Sequence, residues 1–181
     1  MKSPLLLNIG KYVFIVLIVL SIGYVVYEKT KDLKSHKSFS KLETTLTSVE
    51  TNKTLQDSIV DYGFEFLGTP YVTAGAGKEG FDCSGFIYFV FQHFNIQVPR
   101  STSGYENFGK EIPIENVEKG DLLLFLSPTR NAIGHIGIIT EANGRESDFI
   151  HATSGNKMSV IITNLSNEGY TRRFVKAIRV L

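Results

Sequence analysis

Hydrophobic and polar positions along the chain first mark out an apolar segment near its beginning. Residues 12–27 carry no charge, and a short basic stretch, residues 1–11, precedes them. As a helix the segment would be about 24 Å long, somewhat short of the ~30 Å hydrocarbon core of a bilayer. We interpret it as a transmembrane signal-anchor, because Glu28 and Lys29 follow it instead of a small-residue cleavage site. Secretion after signal cleavage is the alternative.

The next stretch, residues 28–53, is rich in Lys, Ser and Thr and predicts a polar tether. More lysines follow the apolar segment than precede it, which by itself favours a cytoplasmic C-terminus. The function inferred below requires the opposite orientation, with the rest of the chain outside the cytoplasm.

A globular domain is predicted over residues 54–181, and it begins with two helices. Thr54 and Asp57 form a helix-start signature, since their side chains can satisfy free N–H groups of a first turn. Apolar residues then recur at helical spacing and predict an inward face formed by Leu55, Ile59, Tyr62, Phe66 and Leu67. Gly68 and Pro70 should end this helix. A second helix should begin at Asp82–Cys83 and, being almost entirely apolar, should be buried.

After about Gly120 the pattern changes to short runs rich in Ile, Val, Leu and Phe, separated by turn residues. The predicted strands are 121–126, 135–140, 148–153, 158–163 and 174–181. Helices followed by a strand meander predict an α+β domain, in which the N-terminal helices pack on an antiparallel sheet.

Composition and charge narrow the possible functions. The 181 residues are 43% hydrophobic and 20% charged, as in an ordinary globular protein, and the net charge of +1 gives no reason to expect nucleic-acid binding. One cysteine cannot form an internal disulfide or a cysteine-rich zinc site. No group of residues has metal-ligand spacing, so neither a metal nor another cofactor is predicted.

Cys83, the single cysteine, is the candidate nucleophile. A lone cysteine is usually a small buried hydrophobic residue, but this one lies where a glycine-rich loop, residues 74–81, should turn into the second helix. Free N–H groups and the dipole at a helix start favour a thiolate, so the sequence predicts a lowered thiol pKa.

Two of the four histidines are candidate partners of that thiol. His36 falls in the tether and His93 near the end of the buried helix, where solvated or surface roles are expected. His135 lies in a predicted strand and shares its face with Gly137, which should let the helix of Cys83 approach the sheet. His151 lies in the next strand, close enough across an antiparallel pair to hydrogen-bond His135 and fix its tautomer.

The chain resembles the NlpC/P60 peptidases in several spaced motifs that follow the order of that family. They are 82–86 (DCSGF), 134–138 (GHIGI) and 149–152 (FIHA), with smaller matches at 68–71 (GTPY), 99–102 (PRST), 120–122 (GDL) and the closing RRFVKAIRVL. The resemblance covers residue 54 to the C-terminus and none of the first 50 residues.

This resemblance implies a papain-like α+β fold and hydrolysis of peptidoglycan stem peptides, typically at a D-γ-glutamyl bond to a diamino acid. Position by position it implies Cys83 as nucleophile, His135 as base and His151 as the polar third member of the catalytic set. It also implies that Tyr71, Asp82 and Ser84 line the substrate site. The domain would then work on the outer side of the bacterial cytoplasmic membrane, held there by the N-terminal helix.

The chain departs from the family pattern at two places. The loop after Tyr71 usually contains two adjacent glycines, where this chain has Ala74–Gly75, and Tyr105 stands where Gln is common. Both positions are expected at the rim of the cleft, where they would affect substrate preference more than chemistry.

Two other functions remain open on the sequence alone. The same thiol could serve an amidase or acyltransferase of related fold, which would transfer acyl groups or release other amines. Alternatively the domain could be a catalytically silent module that only binds the cell wall, with an unreactive Cys83.

Overall fold

The computed structural model describes residues 53–181 together with 20, 21, 23–25 and 27–31. The chain divides into two units, Met1–Lys53 and Thr54–Leu181. In the first unit residues 20, 21, 23–25 and 27–31 are helical. Within the part of the chain that the structure describes, no helix has the length and apolar character needed to cross a bilayer. The predicted membrane segment, 12–27, and the predicted tether, 28–53, lie largely outside the described residues, as does His36.

Helix α1, Leu55–Phe64, opens the second unit with the predicted capping pair. The N–H of Asp57 donates to the Thr54 hydroxyl at 3.0 Å, and the N–H of Thr54 donates to the Asp57 carboxylate at 3.1 Å. Both contacts satisfy N–H groups that a first helical turn leaves free.

The end and the buried face of α1 differ from the sequence prediction. The helix ends at Phe64 rather than at Gly68, because the next three N–H groups bond to carbonyls three residues back and tighten the chain into turns. Ile59 and Phe66 are buried as predicted, but Leu55 and Leu67 are each 46% exposed. The turns rotate Leu67 away from the core, and Leu55 lies in the first turn.

Helix α2, Cys83–His93, begins where the sequence predicts. The Asp82 carboxylate accepts from the N–H of Gly85 at 2.6 Å and caps the helix. Most of its apolar side chains are buried, as the nearly uninterrupted hydrophobic run requires.

Strands make up most of the remaining chain. They are β1 (Ala76–Gly77), β2 (Gly80–Phe81), β3 (Lys110–Ile112), β4 (Leu122–Leu126), β5 (Ile133–Glu141), β6 (Asp148–Thr153), β7 (Ser159–Asn164) and β8 (Phe174–Arg179). A short helix, α3 (Glu168–Thr171), and three 3₁₀ turns (Thr102–Tyr105, Ile114–Asn116 and Gly144–Glu146) complete the elements.

Six strands form one antiparallel sheet in the order β3-β8-β4-β5-β6-β7, and β1 pairs with β2 in a separate hairpin. All five predicted strands are present within about two residues of their predicted bounds, and the predicted antiparallel arrangement is confirmed. The hairpin and β3 were not predicted. The hairpin strands have two residues each, one of them glycine, and β3 has only three residues, so neither element shows an alternating apolar pattern.

The two faces of the sheet carry different packing. Helices α1 and α2 cover one face, where Phe86 and Val90 pack among Ile136, Ile138 and Ile150. The other face holds a second apolar cluster that includes Leu123, Phe125, Ile139 and Phe149, with Tyr170 of α3 packed against it.

The chain also covers part of the outer edge of β7. The segment 68–71 runs beside this strand: the N–H of Gly68 donates to Val160 and that of Tyr71 to Met158, at 2.9 and 2.8 Å. The N–H of Val160 returns a bond to Thr69 at 2.9 Å. Tyr71 is thereby fixed to the strand that forms one end of the sheet.

Candidate active site

Cys83 is the first residue of α2 and lies beside the start of β5. Its thiol donates to the carbonyl oxygen of Gly134 at 3.7 Å. The pairing of β4 with β5 shifts register at this point, since Phe125 pairs with His135 and Leu126 with Ile133. This irregularity brings the Gly134 carbonyl within reach of the helix start, where the sulfur is half-buried.

The predicted lowering of the Cys83 pKa is wrong. Burial raises the pKa of the thiol, and the negative charge of Asp82 raises it further. The backbone N–H groups of Ser84 and Cys83 and the charge of Arg100 lower it, but their effect is smaller. The thiol is therefore protonated at neutral pH, because desolvation outweighs the helix start.

His135 lies on β5, on the sheet face that points away from α2. Its ring packs beside that of Tyr170, with centroids 5.8 Å apart. Gly137 shares this face, and a Cβ there would lie 2.5 Å from the ring of Phe149 and 3.2 Å from the Cβ of His151. Gly137 thus makes room for side chains of the neighbouring strand. The expectation that it admits α2 is wrong, because α2 packs on the opposite face.

The hydrogen bond expected between the two histidines is present. Nε2 of His135 lies 2.9 Å from Nδ1 of His151, and the rings are nearly perpendicular, at 87°. Strand β5 pairs with β6 so that Ile138 faces Ile150. His151 therefore stands opposite Gly137 and diagonal to His135, rather than directly across from it.

Thr163 of β7 extends this contact to a third residue. Its hydroxyl lies 3.0 Å from Nε2 of His151, a fully buried side chain. A proton on Nε2 of each ring satisfies both contacts, with Thr163 as the final acceptor. Nδ1 of His135 is then unprotonated and available as a base.

Both histidines are held in the neutral form. The pKa of His135 is lowered to about 3, mainly by burial and to a smaller extent by the positive charge of Arg173. The pKa of His151 is also well below its usual value, because of burial first and then the charges of His135 and Arg173. The cavity that both Cys83 and His135 line therefore contains a neutral thiol and a neutral imidazole at pH 7.

Two cavities meet at the sulfur. One, of about 340 Å³, is lined by Cys83, His135, Tyr170 and Arg173 among others. The second, of about 540 Å³ and more open, includes the predicted residues Asp82 and Ser84. Tyr71, Cys83 and Gly134 line both. The cavities thus form one cleft that extends to either side of the thiol. Five of the six sequence-predicted residues line it, and the sixth, His151, is hydrogen-bonded to His135.

Asp82 already has protein partners on both carboxylate oxygens. Besides the cap to Gly85, it accepts from Nη1 and Nη2 of Arg100 at 3.0 and 2.9 Å. Arg100 also donates to the carbonyl of Ala74 at 2.8 Å and so ties the loop to the helix start. Ser84 is 5% exposed, and its hydroxyl lies 3.3 Å from Asp82. These contacts position the thiol and shape the floor of the second cavity.

The two departures from the family pattern occupy different environments. Ala74 lines the second cavity and adopts the left-handed region, with φ +61°, where glycine is favoured. Tyr105 is completely buried, and burial raises its pKa. Its expected place at the rim is therefore wrong. Among the described buried side-chain oxygens and nitrogens, its hydroxyl is the one without a hydrogen-bond partner.

Sequence reasoning missed Thr163, Tyr170 and Arg173. Thr163 looks like an ordinary strand residue, and only the β6–β7 register brings it to His151. Arg173 lies between two strands in a run with other charges. The sequence feature that could have identified Arg173 is its position in the closing motif RRFVKAIRVL, residues 172–181. His93 is exposed, as expected, with its ring stacked on Tyr62 at 3.8 Å.

The arrangement combines the parts needed for nucleophilic acyl chemistry. A thiol can attack a carbonyl, an oriented imidazole can accept its proton, and two N–H groups lie beside the sulfur. No group of three or more possible metal-ligating side chains occurs among the described residues.

Comparison with known proteins gives consistent matches over this unit. A sequence model described as the NlpC/P60 family matches residues 68–179. Murein DD-endopeptidase MepS/Murein LD-carboxypeptidase of Escherichia coli K12 is 32% identical over 131 residues, covering 72% of this chain and 65% of that protein. Gamma-D-glutamyl-L-lysine dipeptidyl-peptidase of Bacillus subtilis 168 is 36% identical over 116 residues, 64% of this chain and 38% of that protein.

A solved structure agrees with these sequence matches. An NlpC/P60 family protein from Bacillus cereus is similar at a TM-score of 0.64 and 29% identity, over 71% of this chain and 41% of that one. The matches thus span two thirds or less of the lengths of these relatives.

Proposed function

The chain belongs to the NlpC/P60 family, and on that footing we propose that it is a peptidoglycan hydrolase, a cysteine peptidase that cleaves amide bonds in cell-wall stem peptides. Cys83 is the nucleophile, His135 the base and His151 the residue that orients the base. The names of the relatives support hydrolysis of the cell wall. The observation that carries the residue assignment is the 2.9 Å contact between His135 and His151 in a cleft that also contains the Cys83 thiol.

The first half of the reaction follows from the neutral pair. As the Cys83 sulfur attacks the amide carbonyl carbon, Nδ1 of His135 takes the thiol proton. Negative charge develops on the carbonyl oxygen, and the N–H groups of Cys83 and Ser84 are placed to stabilise it. The imidazolium then gives its proton to the departing amine, and the acyl group remains on sulfur as a thioester.

Water completes the cycle. His135, neutral again, removes a proton from a water molecule that attacks the thioester carbonyl. The thiolate leaves and recovers the proton, so the products are a free carboxylic acid and a free amine. His151 keeps the proton of its partner on Nε2 throughout, which maintains Nδ1 as the reactive nitrogen.

We assign the scissile bond to the amide between D-γ-glutamate and a diamino acid. This is the bond in the name of the Bacillus subtilis relative. The Escherichia coli relative is named as a DD-endopeptidase and an LD-carboxypeptidase instead, and the masses of the released fragments distinguish these cleavages from the one assigned here.

The test is a digest of purified peptidoglycan by the full chain, with Cys83→Ala beside it and fragments read by mass spectrometry. Wild type should release fragments cut within the stem peptide, ending in D-glutamate and beginning with the diamino acid. Cys83→Ala should release none. Release of the same fragments by both proteins would refute the thiol mechanism, and no release by either would refute the hydrolase assignment.

We further propose that residues 12–27 anchor the chain in the bacterial cytoplasmic membrane, with the catalytic unit on the outer side, where its substrate lies. Resistance of the full chain to alkaline extraction from membranes, together with its digestion by protease added outside the cells, would support this. Release into the medium with a new N-terminus after residue 27 would favour signal cleavage instead.

A further inference from the structure

Arg173 lies in the wall of the smaller cavity, beside the proposed nucleophile and base. Its position is fixed by the protein. Nε donates to the carbonyl of Gly169 at 2.8 Å, and Nη1 donates to the carbonyl of Leu126 at 3.1 Å. The guanidinium also lies over the ring of Tyr170, 5.0 Å from its centroid.

This cation lacks a negatively charged partner within residues 53–181. Its two protein hydrogen bonds go to neutral carbonyls, whereas Arg100 and Arg179 each bind an aspartate through two nitrogens. None of the ion pairs formed by the described residues includes Arg173. A guanidinium has five N–H groups, so three remain for a ligand in the cavity.

The smaller cavity therefore carries a positive charge that no side chain among residues 53–181 neutralises. The same charge acts on both histidines, whose pKa values it lowers after the larger effect of burial. A carboxylate that enters the cavity would neutralise the charge of Arg173 and form charge-assisted hydrogen bonds with its free N–H groups. The planar guanidinium matches the geometry of a carboxylate, which can accept two parallel hydrogen bonds from it.

We propose that Arg173 binds a carboxylate of the stem peptide and makes the enzyme prefer free-acid peptides over amidated ones. This specificity rests on the proposed function. Stem peptides offer two such groups near the assigned bond, the α-carboxylate of D-glutamate and the carboxylate of the diamino acid. Converting either to an amide removes the charge and hardly changes the size, so amidation isolates the interaction.

The test measures binding in the full chain with Cys83→Ala, so that no ligand is cleaved. The ligands are L-Ala-γ-D-Glu-L-Lys, the same peptide amidated at the glutamate α-carboxylate, and the same peptide amidated at the C-terminus. Amidation of the carboxylate that Arg173 contacts should weaken binding by about tenfold or more, as expected for the loss of a hydrogen bond between charged groups. Which of the two amides binds weakly identifies the carboxylate.

Adding Arg173→Met should reduce this discrimination to about twofold or less by weakening binding of the free acid. Arg173→Lys keeps the charge and should retain part of the preference. Arg172→Met is the matched control, because Arg172 is an exposed neighbour that pairs with Glu168, and it should keep the full preference.

Equal binding of all three peptides to the Cys83→Ala parent would overturn the proposal without relying on any Arg173 variant. An unchanged acid-to-amide ratio after Arg173→Met would overturn it too, as would failure of all three peptides to bind. These results are separate from the peptidoglycan digest: an enzyme that cleaves the wall without discriminating acid from amide refutes the role of Arg173 alone.

Discussion

At the scale of single residues, the reactive pair is kept uncharged by burial. The thiol of Cys83 lies at a helix start, yet desolvation and Asp82 raise its pKa, while burial lowers that of His135. In the proposed mechanism, proton transfer therefore accompanies attack on the substrate rather than preceding it. This makes the tautomer of His135 important, because only an unprotonated Nδ1 can accept the thiol proton.

Thr163 is placed to control that tautomer through His151. Replacing it with Val, which has nearly the same shape, removes the hydroxyl beside Nε2 of His151, which is the acceptor in the tautomer assigned above, and should let the proton shift between nitrogens. We expect kcat/KM on stem peptides to fall about tenfold, the effect of roughly 1.4 kcal/mol. The ¹⁵N shifts of both histidine rings should report a mixed tautomer.

Thr163→Ser is the matched control, since it keeps the hydroxyl and should retain both the activity and the single tautomer. Thr163→Val with wild-type kcat/KM and unchanged ¹⁵N shifts would show that the hydroxyl only fills space.

The candidate site could be predicted in part at this scale. Cys83, His135 and His151 are visible in the sequence because each stands in a recognisable local pattern. Thr163 and Arg173 are not, because their contacts depend on strand register and on the path of the chain after α3. The direction of the Cys83 pKa also required the structure, since burial cannot be read from a helix-start signature.

At the scale of elements, the start of α2 is pressed closely against the loop before it. A Cβ added at Gly85 would overlap the carbonyl oxygen of Gly75 and lie 3.0 Å from both Arg100 and Asp82. The loop is held there by the bonds from Arg100 to residues 74 and 75. Gly85 therefore permits the close contact between the loop and the start of α2, and this contact sets the position of the Cys83 sulfur.

Gly85→Ala should separate the loop from the helix. We expect a loss of about 1–3 kcal/mol in the free energy of unfolding, since the overlap is with backbone that cannot move aside cheaply. Activity should fall as well, because Cys83 moves relative to His135. Urea unfolding and peptide hydrolysis measure the two effects.

Gly77→Ala, in the loop that Gly85 packs against, serves as the control, because a Cβ at Gly77 would meet nothing within 4 Å. Its stability and activity should stay near those of wild type. Equal stability of the Gly85 and Gly77 variants would refute the close packing at the helix start.

Elements with a strong local signal could be predicted from the sequence, and those without one could not. The capping signature of Thr54 and Asp57 marked the first helix start, the glycine-rich loop before an apolar run marked the second, and apolar runs marked five strands. Strand β3 has two exposed charged residues out of three, and two of the four strand residues of the β1–β2 hairpin are glycine. Both elements exist because the folded chain supplies partners for them, which no local pattern reveals.

At the scale of the whole molecule, the neutral histidines connect catalysis to acid stability. A histidine whose folded pKa lies below its unfolded value of about 6.5 binds a proton more readily in the unfolded chain. The stability that such a histidine contributes as a neutral group is complete above pH 6.5. It is lost as the pH falls towards the folded pKa, which is about 3 for His135. His151 also has a lowered pKa, so both histidines make the folded protein less stable as the pH falls.

We therefore expect the free energy of unfolding to decrease between pH 6.5 and pH 5, by up to about 1.4 kcal/mol per pH unit for each histidine. Urea unfolding at pH 7, 6 and 5 measures the slope. Replacing His151 with Gln should make the slope shallower, whereas replacing the exposed His93 with Gln should leave it unchanged. A free energy that is constant over this range would contradict neutral burial of the pair.

The order of the sheet also belongs to this scale and could not be predicted. Strands β4 to β7 follow one another as a meander, but β8 returns to pair with β4, and β3 then pairs with β8. One link in this return is the ion pair of Arg179 on β8 with Asp121 beside β4, formed by two contacts at 2.8 and 2.9 Å. Its partners are 58 residues apart, beyond the reach of local sequence patterns.

The backbone bonds that segment 68–71 makes to β7 have a consequence for self-association. A free sheet edge can recruit a strand from a second copy of the chain and begin an ordered aggregate. Here the molecule occupies part of one such edge with its own backbone, and the opposite edge is a strand of three residues, two of them exposed and charged. Neighbouring copies crowded on a surface would thus meet edges that offer little room for edge-to-edge growth.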